Sequence, residues 1–154
     1  MKLYLLALIF LFSGTSQAYV YYENCPYKYL LLSADICSDR QLSMAQVGFI
    51  DATVKETPLR LGIFLENMGF HIELSKNKPM IWVVSEEDLN NPKYFTKFDL
   101  PIVGLTVGDR VFITPKSLSS EPETLRHELA HFFIHDVIDR DTDELLARKF
   151  EIIQ

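Results

Sequence analysis

Apolar positions in the first half of the chain recur at helical spacing. Val47, Ile50 and Val54 lie three or four residues apart, so their side chains share one face of a helix. Ser38 or Asp39 can cap the start of this helix. The pattern therefore predicts a helix that buries one face against the rest of the domain.

Proline and glycine residues, and the alternation of polar and apolar residues, predict the structure of the segments around this helix. Pro58 favours a break, so a second helix is predicted from there until Gly69. Residues 19–37 are rich in tyrosine and are predicted to form an irregular arm. Residues 71–74 alternate between polar and apolar, which predicts a short strand.

Three apolar runs in the middle of the chain predict a small sheet. Residues 80–84 are continuously apolar, as in a buried strand, and Ser85 after them can cap a short helical turn. Residues 102–107 and 110–114 are separated only by the Gly-Asp pair at 108–109. So short a connection favours a β-hairpin.

A capping pattern marks the start of a helix in the last third of the chain. Ser120 can be the N-cap, Pro122 falls in the first turn and Glu123 completes a capping box. This helix is expected to continue to about residue 137.

The polar residues 139–141 end that helix, and Asp141 or Thr142 can cap a last helix that returns along it. The fold class is therefore α+β. We expect N-terminal helices, then a small mixed sheet with a β-hairpin, then two helices joined by a tight turn.

The first eighteen residues have the form of a secretory signal. Lys2 is followed by an apolar run at 3–12, too short to span a bilayer, and small residues precede an expected cleavage after Ala18. We therefore expect residues 19–154 to form one exported domain, periplasmic or secreted, without a stable membrane anchor. An N-terminal core helix or an uncleaved anchor is the alternative.

The two cysteines, Cys25 and Cys37, both follow this segment. In an exported protein they most simply form a disulfide. Two free buried thiols or a cysteine metal site are the alternatives, although no Cys-x-x-Cys spacing is present.

Composition narrows the classes of protein that fit. Apolar residues make up 48% of the chain and charged residues 23%, which is typical of a globular domain and not of a disordered one. The formal net charge is -6, and no basic patch interrupts it, which argues against nucleic-acid binding.

The sequence His-Glu-Leu-Ala-His at 127–131 carries the candidate chemistry. His127 and His131 are four residues apart on a predicted helix, so both imidazoles leave the same face and suit one zinc ion. Glu128 is too close in sequence to be a comfortable third ligand. It is better placed to accept the proton of a water molecule that zinc activates. The neighbouring residues are largely apolar, and a buried polar trio without a role would be costly.

A catalytic zinc site also requires a third protein ligand. Glu144 is the preferred candidate, because it opens the last helix, which can fold back against the motif helix. His135 continues the same helix, and three ligands along one straight helix would spread over ~12 Å. The other candidate ligands are Asp136, Asp139, Asp141 and Asp143.

Supporting roles are left open at this point. Asp136 or Asp139 can orient a ligand histidine. Tyr94, Arg110 or Arg126 can supply a donor to a developing oxyanion, and the sequence does not choose between them.

Residues 123–151 resemble the gluzincin metallopeptidases. The chain reads Glu-Thr-Leu-Arg-His-Glu-Leu-Ala-His-Phe-Phe-Ile-His, followed later by Asp-Glu-Leu-Leu-Ala-Arg-Lys-Phe-Glu. The resemblance implies a minimal zincin-like fold, with His127, His131 and Glu144 as ligands of one zinc ion and Glu128 as the catalytic base. Twelve residues separate His131 from Glu144, which is fewer than is usual in that group.

The function that follows is a zinc-dependent hydrolase, and the resemblance implies a peptidase acting on a peptide or protein substrate. The substrate is expected to lie along the hairpin at 102–114 by strand addition. Two alternatives remain. One is a metal-binding or interaction module without turnover, and the other is a zinc amidohydrolase acting on cell-wall or other small amides.

Overall fold

The computed structural model describes residues 22–134 and 139–151, and the predicted signal segment lies outside these ranges. The described residues form a mixed α+β fold, which confirms the predicted class. The strands are β1 (Tyr27–Leu30), β2 (Asp35–Ser38), β3 (Met80–Val83), β4 (Gly104–Val107) and β5 (Arg110–Ile113). The helices are α1 (Met44–Asn67), α2 (Glu86–Leu89), α3 (Pro122–Ile134) and α4 (Arg140–Glu151). None of these helices has the length and apolar character needed to cross a bilayer.

The described strands form one mixed sheet in the order β1-β2-β3-β5-β4. The three inner strands, β2, β3 and β5, are parallel, and the two outer strands run antiparallel to their neighbours. The predicted hairpin is confirmed: β4 and β5 are joined through Gly108, whose φ of 60° is a backbone conformation that favours glycine. Strand β4 therefore lies at one edge of the sheet.

The two faces of the sheet are covered differently. Strand residues such as Ile81, Val111 and Ile113 pack against α1, α3 and α4 and form the main core. The opposite face carries a smaller aromatic cluster, in which Trp82 stacks on Phe112. The helix-covered face is the one that carries the candidate site.

Helix α1 is continuous where two helices were predicted. Its N-cap is Ser43, which forms a capping box with Gln46, so the predicted caps Ser38 and Asp39 were wrong. Pro58 lies inside the helix, and the break predicted there was also wrong. Buried residues continue on both sides of the proline, so tertiary packing offsets the hydrogen bond that proline removes.

The end of α1 follows the sequence prediction. Gly69 has a φ of 83°, and the N–H groups of Gly69 and Phe70 donate to the carbonyls of Glu66 and Leu65. This is a Schellman-type termination, for which glycine is the favoured residue.

Two predictions at the sheet edge and beyond α1 were wrong. Residues within the predicted irregular arm form the antiparallel pair β1–β2, which the Cys25–Cys37 disulfide ties together. The disulfide itself confirms the predicted pairing. Residues 71–74 form no strand, because Ile72 and Leu74 pack against the main core and the next N–H group, that of Ser75, donates to Phe133 of α3.

The starts of the last two helices are shifted from the predictions. Helix α3 begins at Pro122, so Glu121, and not Ser120, is the residue before its first turn. Helix α4 begins at Arg140, and its cap is Asp139, whose carboxylate accepts from the N–H and the hydroxyl of Thr142. The expected caps Asp141 and Thr142 therefore lie inside the first turn.

Candidate metal centre

Three side chains from two helices meet beside the sheet edge. His127 and His131 lie one turn apart on α3, and their Nε2 atoms are 3.0 Å apart. Glu144, in the first turn of α4, places Oε2 at 3.1 Å from Nε2 of His131 and Oε1 at 3.9 Å from Nε2 of His127. The structure thus brings together a His-His-Glu group that can hold a metal ion.

The other nitrogen of each histidine is already engaged by a carboxylate. Nδ1 of His131 lies 2.8 Å from Oδ2 of Asp143, and Nδ1 of His127 lies 2.6 Å from Oε2 of Glu151. At His131 this contact is a hydrogen bond, which favours the proton on Nδ1 and leaves Nε2 to bind a cation. At His127 the contact with Glu151 is close, but it does not have the geometry of a hydrogen bond. Both histidines are therefore oriented with their ligand atoms toward each other.

The spacing of the ligand atoms fits a small tetrahedral ion. With metal–ligand bonds of about 2.0–2.1 Å, two ligands at a tetrahedral angle lie about 3.3 Å apart. The two Nε2 atoms lie 3.0 Å apart, and Glu144 approaches them with one oxygen each, Oε2 at 3.1 Å from His131 and Oε1 at 3.9 Å from His127, which are separations around this value. Two imidazoles and one carboxylate are also a donor set that zinc accepts while one position stays open. The group can therefore hold a small metal ion, and its donor set is one that zinc accepts.

The site is open on the side of α4. The side chains of His127 and His131 are 16% and 17% exposed, whereas that of Glu144 is 42% exposed. Nε of Arg148, one turn further along α4, donates to Oε1 of Glu144 at 2.6 Å. A ligand approaching from solvent would therefore meet Glu144 first.

Charge and burial have opposing effects on the pKa values of these groups. Burial lowers the pKa of His127, and the nearby His131 lowers it further. Burial also disfavours protonation of His131, but the hydrogen bond that its ring donates to Asp143 outweighs burial, and the pKa of His131 is raised. Burial likewise opposes ionisation of Glu144, but the Arg148 contact prevails and lowers its pKa. Glu144 is therefore held in its charged form, as a ligand must be.

Glu128 occupies a different environment from the side chains of the His-His-Glu group. Its carboxylate points into the space between α3 and β4 and is only 7% exposed. Burial raises the pKa of Glu128 to about 7, although the Thr106 hydroxyl bond opposes the rise. A carboxylate with a pKa near neutrality suits a group that must both accept and return a proton.

Two residues of β4 hold Glu128, and sequence reasoning missed both. The hydroxyl of Thr106 lies 2.8 Å from Oε2 of Glu128 and 2.9 Å from its main-chain oxygen. A Cβ at Gly104 would lie 2.6 Å from Oε1 of Glu128. Gly104 and Thr106 are two positions apart in a strand, a period that puts both on one face, but no pattern in the sequence says which helix that face meets.

The other acidic residues that the sequence offered as ligands take different places. Asp143 contacts Nδ1 of His131 and not the Nε2 that faces His127 and Glu144. Asp139 caps α4, and Asp141 is exposed. Asp139 was predicted to orient one of the histidines, but the carboxylates that contact the histidines are those of Asp143 and Glu151. His135 and Asp136 lie outside the described residues.

The residues suggested as oxyanion donors do not meet at the site. Arg110 lies over the ring of Trp82, and Tyr94 packs on Tyr22, both on the sheet face opposite α3. Arg126 lines a cavity of about 240 Å³ beside α1. The structure thus places none of the three beside the His-His-Glu group.

Comparisons of the chain with protein-family models, with curated proteins and with solved structures found no match.

Proposed function

We propose that this chain is a zinc-dependent peptidase of the gluzincin type. One observation carries the proposal: two histidine Nε2 atoms and the Glu144 carboxylate converge, while a separate buried carboxylate, Glu128, adjoins them in sequence. A site for metal binding alone does not require the second carboxylate. Burying one costs free energy, which favours a chemical role for Glu128.

Each residue has a distinct part in the proposed reaction. His127, His131 and Glu144 hold the ion, and a bound zinc supplies Lewis-acid chemistry toward water and a substrate carbonyl. Glu128 accepts a proton from the attacking water and passes it to the nitrogen of the leaving amine. Asp143 and Glu151 keep both histidines oriented through this cycle.

The position of β4 supports a peptide substrate. This strand pairs with β5 on one side, and no described strand pairs with its other side. The strand also carries the residues that contact Glu128, so its open edge runs past the proposed base. An extended peptide that added to this edge would present a main-chain carbonyl near the site.

The location of the protein outside the cytoplasm is part of the proposal. The Cys25–Cys37 disulfide is compatible with an oxidising compartment, because such bonds persist in exported proteins. A zinc peptidase exported to the periplasm or the medium would meet peptides and proteins there.

Metal analysis and peptide cleavage test the proposal. Purified protein should carry about one zinc per chain, and His127→Ala should lose it, because a catalytic site needs three protein ligands. Glu128→Gln should keep the zinc and lose cleavage of a mixed library of quenched fluorescent peptides. Glu123→Gln, an exposed change on the same helix, is the matched control.

The outcomes separate the candidate functions. Zinc without any peptide cleavage by the natural protein would overturn the peptidase proposal and leave a metal-binding module. Protein that binds no zinc would overturn both. Cleavage that persists in Glu128→Gln would remove Glu128 from the role of base.

A further inference from the structure

We infer that Gly104 and Thr106 of the edge strand β4 form a cradle that positions the Glu128 carboxylate for its role as base. This inference rests on the proposed function, since it concerns the residue that would accept the proton. Neither cradle residue contacts a ligand atom of the His-His-Glu group in the structure, so both act through Glu128 and are positioning residues.

The hydroxyl of Thr106 fixes one carboxylate oxygen. It lies 2.8 Å from Oε2 and 2.9 Å from the main-chain oxygen of the same glutamate. Within the described ranges it is the only hydrogen-bonding group on that carboxylate. A glutamate has three rotatable side-chain bonds, and linking its end to its own main chain removes most of that freedom.

Gly104 leaves the space that the other carboxylate oxygen occupies. A Cβ at this position would lie 2.6 Å from Oε1, 2.7 Å from Cγ and 3.0 Å from Cδ of Glu128. The backbone at Gly104 does not have a positive φ, so the requirement for glycine here is one of space and not of conformation. Any side chain on Gly104 would push the carboxylate out of its place.

The register of the sheet makes the two contacts cooperate. Gly104 and Thr106 pair with Ile113 and Val111, which belong to the helix-covered core, so both face α3. Thr106 supplies a hydrogen-bond donor to one oxygen of the carboxylate, and Gly104 leaves space for the other oxygen. A catalytic group must be held within about 0.5 Å of its productive position, and contacts from a strand achieve this better than contacts from a loop.

A double-mutant cycle on zinc-loaded protein tests the cradle. The probe is acetohydroxamic acid, which binds zinc through its oxygens and releases a proton that a nearby carboxylate can accept. Thr106→Val should weaken probe binding about tenfold, since a hydrogen bond to a charged group is lost. In a Glu128→Gln background the same change should cost less than about twofold, because its effect acts through the carboxylate.

Conservative and matched variants give the remaining controls. Thr106→Ser should restore probe affinity to within about twofold of the natural protein, because it keeps the hydroxyl. Thr114→Val alters a buried hydroxyl at the end of β5 and should leave probe affinity unchanged. Gly104→Ala should weaken probe binding with no loss of zinc. On a cleavable peptide, Thr106→Val should lower kcat and leave KM unchanged.

Either of two results of the cycle would overturn the inference. The first is an equal loss of probe affinity for Thr106→Val in both backgrounds, which would mark a merely structural role. The second is no loss at all. If the natural protein binds zinc and the probe but cleaves no peptide, the proposed peptidase activity is wrong, and the cycle still tests the cradle. If the protein binds no zinc, both the proposed function and this inference are wrong.

Discussion

Replacing Glu128 by glutamine should stabilise the metal-free protein at neutral pH. In the zinc-loaded protein the same change should abolish the proposed hydrolysis. The reason for the gain in stability is that the carboxylate is buried to 7% exposure, where its charged form is disfavoured. Burial raises its pKa from 4.5 to about 7. A glutamine has nearly the same shape and no charge to desolvate.

The sign and size of the effect follow from proton binding. Below pH 4.5 the carboxyl group is protonated in both the folded and the unfolded chain, so it has no effect on stability. Between pH 4.5 and about 7 the unfolded chain loses this proton and the folded chain keeps it, so stability falls as pH rises. At about 1.4 kcal/mol per pH unit, the loss reaches about 3 kcal/mol above pH 7.

Urea-induced unfolding of chelator-treated protein measures this effect. The free energy of unfolding of Glu128→Gln should match that of the natural protein at pH 4 and exceed it by up to about 3 kcal/mol at pH 8. Glu123→Gln, exposed on the same helix, should show no such pH-dependent gain. If zinc is added and binds as proposed, the difference should shrink, because a divalent cation favours the charged carboxylate. A difference between Glu128→Gln and the natural protein that did not change with pH would refute the reasoning.

Three further predictions concern the proposed zinc site, the disulfide and the end of α1. Asp143→Asn should weaken zinc binding about 10–100-fold, measured in competition with a chromophoric chelator, because the side chain that contacts His131 loses its charge. Asp141→Asn, an exposed change, is the control, and equal zinc affinities of the two variants would contradict this prediction. Replacing Cys25 and Cys37 by serine should lower the free energy of unfolding by about 3 kcal/mol, from the entropy of the freed loop. A loss well under 1 kcal/mol in urea unfolding would show that the bridge adds little. Gly69→Ala should lower the melting temperature through a cost of about 1 kcal/mol at positive φ, and an unchanged melting temperature would argue against that strain.

Local patterns predicted those elements whose signals lie within a few residues. The strand β3 and the β4–β5 hairpin follow from continuous apolar runs and a two-residue turn. The end of α1 follows from Gly69, because a left-handed backbone position favours glycine. These features depend on neighbours in sequence, so the sequence was sufficient to locate them.

Elements that depend on distant contacts were predicted wrongly. Pro58 indicated a break in α1, but the buried face of that helix continues past it against the core. The arm before α1 became the pair β1–β2 because the edge of β3 offered β2 a parallel partner. Such pairing is decided by residues more than forty positions away, which no local window contains.

The same division runs through the candidate site. The sequence alone predicted that His127, Glu128 and His131 lie on one helix. It also put the two histidines on one face, because a spacing of four residues returns to the same side of a helix. Only the tertiary structure decided which atoms meet. The return of α4 brings Glu144 to the histidine Nε2 atoms, and the register of β4 brings Thr106 to Glu128. Helical periodicity is a property of the local chain, whereas the packing of α4 and β4 against α3 is set by the whole core.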